Sequence, residues 1–189
     1  MSALEKIATL VTVEEYLEGE RKSDVRHEYV AGDVYAMAGA SRTHNILAGN
    51  IHTTLNNALR GGRCSAFITD MKVRVRTRGE TLFYYPDVFV SCDPRDTEDY
   101  FSDYPSVIFE VLSPDTARLD QREKRWAYQT LDSLQTYVLV DQFKRELNVW
   151  RRVGDGWETE TLTGQDAVLS IAEPAIALPL AEIYANTGV

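Results

Sequence analysis

The sequence predicts an α/β domain: a central mixed β-sheet flanked by helices, with a β-hairpin near the N-terminus and further strands toward the C-terminus. Three observations predict it. Short apolar or alternating runs bounded by Gly, Pro, Asn or Asp recur from Arg26 to Leu178, as strands do. Ser41 to Leu59, and the stretch that follows Ser113-Pro114-Asp115-Thr116 and ends near Leu131 to Leu134, carry residues at steps of three and four, as helices do. The 189 residues show no internal repeat or low-complexity tract, and that length suits one well-buried core, so a single domain over 1–189 is expected.

Each element has a local reason. Thr12-Val13-Glu14-Glu15 is a capping box that opens a short helix through Tyr16 and Leu17, with Gly19 as its stop signal. Arg26 to Val30 and Asp33 to Met37 alternate around Ala31-Gly32 and read as a β-hairpin, with Glu28 on its first strand, exposed or paired with Arg26 or His27. Ser41 or Thr43 caps the helix to Leu59, and Gly61-Gly62 ends it. On this helix His44 shares a stripe with Ala48, Ile51 and Leu55, inward but near a mouth, while His52 lies beside the stripe.

Lys72, Arg74, Arg76 and Arg78 alternate with Val73 and Val75, which places the four cations on one strand face. Two readings stand for this stripe: contact with phosphates, or the solvated outer face of a sheet. Phe83 to Val90 and Val107 to Leu112 read as strands, and Pro86 makes the first an edge or a bulged strand. Between them, Ser91 to Pro105 is an acidic loop. Gln135 to Asp141, Glu146 to Arg151 and Trp157 to Leu162 read as strands, followed by an apolar tail around Ile171 to Leu178 and a short helix from Pro179 to Ala185.

Composition narrows the function. With 44% hydrophobic and 26% charged residues the chain resembles an ordinary soluble protein, and no apolar run nears the roughly 18 residues of a membrane span. The N-terminus has no secretory signal pattern, so a cytoplasmic location is expected. Cys64 and Cys92 are too few for a disulfide framework or a thiolate zinc site and are expected as buried or idle thiols. A net charge of -9 argues against indiscriminate polyanion binding, although it leaves room for a local basic groove or for metal ions at an acidic site.

The chemistry concentrates between Tyr85 and Tyr128. Asp87 and Glu110 each interrupt an apolar run, and a carboxylate buried there needs a cation beside it or must take up a proton. A divalent metal and Lys124 are the candidates. Asp120, Lys124 and Tyr128 are spaced by four along one helix face, which by itself fits an exposed ion pair. Hydrolysis of a phosphodiester needs an activated water, neutralised phosphoryl oxygens and help for the leaving oxygen. Carboxylates holding magnesium or manganese supply most of this, with a lysine nearby.

Several blocks in order carry a family resemblance: His27-Glu28-Tyr29-Val30-Ala31-Gly32-Asp33-Val34-Tyr35, His44, Tyr85-Pro86-Asp87-Val88, Phe109-Glu110-Val111-Leu112-Ser113-Pro114, the Asp120, Lys124, Tyr128 series, and Tyr137-Val138-Leu139-Val140-Asp141. They resemble the Uma-two family of restriction-endonuclease-like proteins, a branch of the PD-(D/E)XK nuclease superfamily, over most of the chain. The resemblance implies a restriction-endonuclease-like core and a metal-dependent endonuclease that hydrolyses DNA. It implies metal ligation by Asp87 and Glu110, where carboxylate chemistry favours Mg2+ or Mn2+ and the Val111 carbonyl is close enough to add a backbone ligand, catalysis with Lys124 and Glu28, and support from His44, Asp120 and Tyr128. Leu112 stands where the superfamily places its strand lysine, and Lys124 matches the helix lysine that replaces it in this family. Symmetric cutting of a duplex suggests a homodimer. The alternative is a catalytically inactive nuclease fold that binds nucleic acid or a protein partner.

Overall fold

The computed structural model describes residues 10–112 and 118–189, the side chains of 118–121 excepted. In chain order the elements are α1 (Val13–Lys22), β1 (His27–Val30), β2 (Asp33–Ala36), α2 (Arg42–Leu59), β3 (Ser65–Ile68), β4 (Lys72–Thr77), β5 (Glu80–Tyr84), β6 (Val88–Ser91), β7 (Phe101–Ser102), β8 (Pro105–Leu112), α3 (Arg118–Gln129), β9 (Thr136–Asp141), β10 (Glu146–Val153), β11 (Gly156–Thr163), β12 (Val168–Ile171), β13 (Ile176–Pro179) and α4 (Leu180–Ile183). The class is the expected mixed α/β. The central sheet runs β11-β10-β9-β8-β6-β3, with β8 and β9 parallel and the other pairs antiparallel. The early hairpin belongs to a second sheet, β2-β1-β5-β4-β7, and β12 with β13 forms a small third one.

Strand pleating sorts the side chains into layers. Val107, Phe109 and Val111 of β8, with Val88 and Val90 of β6, face Leu47, Ile51 and Leu55 of α2 and the β12–β13 hairpin. The opposite face, with Phe89, Ile108 and Tyr137, packs on Val73, Val75, Leu82 and Tyr84 of the second sheet and on Ala127 and Tyr128 of α3. The outer face of that second sheet meets α1 through Tyr16, Tyr29, Phe83 and Phe101.

Three local expectations change. Phe83 to Val90 is two strands, not one bulged strand: β5 ends at Tyr84 in the second sheet and β6 starts at Val88 in the central sheet. Pro86 lacks the N–H that would continue a ladder and has a fixed φ, so the chain leaves one sheet and enters the other across Tyr85-Pro86-Asp87. Second, α1 continues past Gly19 to Lys22, because nothing presses on Gly19 and the next residue, Glu20, is anchored inward. Third, Cys64 and Cys92 are not separate thiols but a disulfide. Strands β3 and β6 pair antiparallel with Ser65 opposite Ser91, so the residues just outside that pair face each other. The hairpin turn does follow its residues: Ala31 and Gly32 both take positive φ (50° and 105°), as a two-residue turn requires, and Leu10 packs where a Gly32 side chain would stand.

Candidate active site

The site forms where the two main sheets, α2 and α3 meet. On β1 the pleat turns His27 and Tyr29 toward α1 but Glu28 toward α3. On β8, Glu110 and Leu112 lie on the face opposite Phe109 and Val111, again toward α3. Asp87 sits on the crossover between the sheets. These three carboxylates are far apart in sequence and come from different elements.

Their partners are specific. Lys124 Nζ donates to Glu28 Oε1 at 2.6 Å, with side chains 15% and 13% exposed, a largely desolvated pair rather than the surface pair that α3 spacing alone suggests. The ammonium also stands 5.4 Å from the centre of the Tyr84 ring. Tyr128 OH donates to Glu110 Oε1 at 3.2 Å. Asp87 Oδ2 accepts from the backbone N of Val111 at 2.7 Å and lies 3.2 Å from His44 Nε2. The Val111 backbone thus holds Asp87 through its N–H, and it also lies close enough to the His44 ring to favour its charged form.

His44 owes its place to a chain of contacts at the start of α2. Ser41 caps the helix by accepting from His44 N at 3.1 Å, and its hydroxyl donates to Gln142 Oε1 at 2.6 Å. Buried Gln142 in turn donates to the Leu112 carbonyl at 2.6 Å, joining the helix start to the end of β8. Residue patterns gave no warning of Gln142, because its role depends on contacts 101 and 30 residues away.

The electrostatics follow from this packing. Burial pushes the Glu110 carboxyl well above the ordinary carboxylate range; Lys124 pulls it down, while the charges of Asp87 and Glu28 push it further up, and the Tyr128 hydrogen bond opposes them. For His44, burial disfavours the charged ring, yet the Asp87 hydrogen bond and charge, with the Val111 backbone, outweigh it and raise its pKa. The site thus crowds more acid than Lys124 alone neutralises. Among the described residues, no group of three or more His, Cys, Asp or Glu side chains is gathered so as to hold a metal ion.

Residues 13–181 match the profile of the Uma2 family, described as "Putative restriction endonuclease". The chain belongs to the Uma2 family. Two relatives of Synechocystis sp. carry no functional description: uncharacterized protein slr1290 is 38% identical over 145 residues (76% of this chain, 75% of the relative), and uncharacterized protein sll1609 is 32% identical over 167 residues (86% and 93%). Among solved structures, a protein of Anabaena variabilis described as "a putative nuclease belonging to DUF820" superposes with a TM-score of 0.73 at 18% identity, covering 92% of this chain and 97% of that one. At that identity the likeness establishes the Uma2 chain's fold alone.

Of the residues singled out in sequence, the Uma2 fold brings Glu28, His44, Asp87, Glu110, Val111, Lys124 and Tyr128 together. Asp120 lies outside the described side chains. The basic stripe divides. Lys72 is buried, donating to the Tyr85 hydroxyl at 3.3 Å, and Arg74 makes a two-pronged pair with Asp103 at 2.7 and 2.5 Å, over the Phe101 ring. Arg76 and Arg78 remain exposed. No described helix is long and apolar enough to cross a membrane.

Proposed function

We propose that this protein is a divalent-metal-dependent endonuclease that hydrolyses DNA phosphodiester bonds. The observation that carries the reading is that the charges of Lys124, Asp87 and Glu28 all bear on Glu110 at the junction of two sheets, with Lys124 paired to Glu28, in a chain of the Uma2 family. The donor set fits Mg2+ or Mn2+. Asp87, Glu110 and the Val111 carbonyl are all hard oxygen donors, and one or two protein carboxylates suffice beside water and phosphate. The Val111 carbonyl, like any backbone carbonyl, carries two lone pairs, so its influence on His44 leaves room for a metal. The upward pressure on Glu110 from burial and two like charges is the state that a bound dication relieves.

When bound, the ion polarises the phosphoryl oxygens and lowers the pKa of the attacking water. The chain's own residues do the rest. Lys124, held by Glu28, presents an N–H to the transferring phosphoryl group and orients the water. His44 and Val111 N fix the Asp87 carboxylate, and the Tyr128 hydroxyl fixes Glu110 Oε1. Exposed Arg76 and Arg78 are left to meet the DNA backbone. A two-fold homodimer, acting in the cytoplasm, places two sites for a double-strand cut.

The test is cleavage of supercoiled, linear and single-stranded DNA, with RNA alongside, in magnesium, manganese or chelator. DNA cleavage that needs the metal and disappears in Asp87→Ala and Lys124→Ala is the expected result. Cleavage that persists in either variant removes the assigned roles.

A further inference from the structure

Behind Glu28, on the α1 face of the second sheet, lies another cluster of ionisable groups that this chemistry does not use. Glu20 is its centre, with a side chain 3% exposed. Glu20 Oε1 accepts from the backbone N of His27 and from the Tyr85 hydroxyl, both at 2.9 Å, and Oε2 lies 3.0 Å from His27 Nδ1. Lys72 Nζ donates to the Tyr85 hydroxyl at 3.3 Å, and Tyr16 OH donates to the His27 carbonyl at 2.7 Å. Helix α1, strands β1 and β4, and the crossover are thereby tied at one point. The sequence hint is slight: Glu20 falls four residues after buried Tyr16, on the inward face of α1.

Apolar side chains of similar volume hold a helix on a sheet at least as well as buried charges do, so stability alone does not account for this cluster. Its position does. His27 immediately precedes Glu28, and the pleat sends the two side chains to opposite faces of the same strand. Tyr85 stands two residues before Asp87, and its backbone N is 3.5 Å from Glu28 Oε1. We propose that Glu20 is a positioning residue for the candidate active site: by gripping His27 N and the Tyr85 hydroxyl from behind, it holds the backbone that aims Glu28 at Lys124 and Asp87 at Val111. Lys72, on the other side of the Tyr85 hydroxyl, brings a positive charge within electrostatic reach of Glu20. The inference rests on the nuclease reading above.

The experiment uses the full chain with Glu20→Ala, Glu20→Gln and Tyr85→Phe. It measures kcat and KM on DNA with Mn2+, Mn2+ affinity by calorimetry without DNA, and melting curves that fix a temperature at which each protein is folded. Residues that orient a metal site's ligands typically change affinity or activity by about 10- to 100-fold when removed. Tyr85→Phe, which keeps the ring, is expected to lower kcat or Mn2+ affinity about 10-fold with KM unchanged. Glu20→Ala should lose more, and Glu20→Gln, which can accept the same two hydrogen bonds, should recover a large part of the difference. Should Glu20→Ala fail to fold, Tyr85→Phe decides. A folded Tyr85→Phe protein with the wild-type kcat and Mn2+ affinity overturns the positioning role and leaves the nuclease reading standing. Wild-type protein that neither cleaves DNA nor binds Mn2+ overturns both.

Discussion

Replacing Lys124 by Met removes the ammonium while keeping most of the side-chain volume. At the 2.6 Å separation of Lys124 Nζ and Glu28 Oε1, the Coulomb attraction is about 6 kcal/mol at an effective dielectric of about 20. Most of this is offset by desolvation, since both side chains are largely out of water. What the single variant exposes is the orphaned Glu28 charge, and orphaning one partner of a buried pair costs about 3–5 kcal/mol. The residual exposure of both groups places the expectation at about 3 kcal/mol for Lys124→Met in chelator. Glu28→Gln alone should cost somewhat less, and the double variant no more than the larger single one, so the coupling is about 2 kcal/mol. Urea unfolding of the four proteins at neutral pH reads these values directly. If the two substitutions add within about 0.5 kcal/mol, the pair does not act as a unit and the electrostatic account of the site fails.

Three further expectations follow from the same geometry. Saturating Mn2+ should stabilise the wild type by about 2.7 kcal/mol at a hundredfold excess over its dissociation constant, and Asp87→Asn should show little of this. Thermal or urea unfolding with and without the ion is the check, and equal stabilisation of both proteins would move the ion elsewhere. His44 has a pKa raised above its ordinary 6.5, so its charged form contributes stability that is fully present below pH 6.5 and is lost as pH rises through the raised value. His44→Gln should therefore flatten the pH dependence of unfolding free energy in chelator above pH 6.5; an unchanged slope refutes the assignment. Finally, Leu112 lies on the same face of β8 as Glu110, so Leu112→Lys in a Lys124→Ala background should restore part of the lost DNA cleavage. A double variant no more active than Lys124→Ala alone would show that the strand position cannot do the helix lysine's work.

Much of the fold was legible because its signals are short-range. The Thr12 capping box, the Ala31-Gly32 turn and the Ser41 cap are written in neighbouring residues, and each appears where its residues predict it. The failures were also local patterns, overridden by partners distant in the chain. Gly19 looked like a stop, but Glu20 holds the helix inward. Lys72 and Arg74 read as phosphate contacts or as a solvated outer face, yet one is buried against Tyr85 and the other pairs with Asp103. Alternation tells which residues share a strand face; it does not tell what covers that face.

The sequence by itself determined the residue chemistry: lone carboxylates in the apolar runs at Asp87 and Glu110, a lysine a few turns further on, and Leu112 in place of a strand lysine. Those are properties of spacing and residue type, set by periods of two and 3.6. Only the tertiary structure decided that Pro86 passes the chain from one sheet to another, that Lys124 pairs with Glu28 across 96 residues, and that Glu20 grips the back of the same strand. Sheet order and crossover set these contacts. They join segments whose separation in the chain carries no periodic signal, and burial then makes each partner costly to lose.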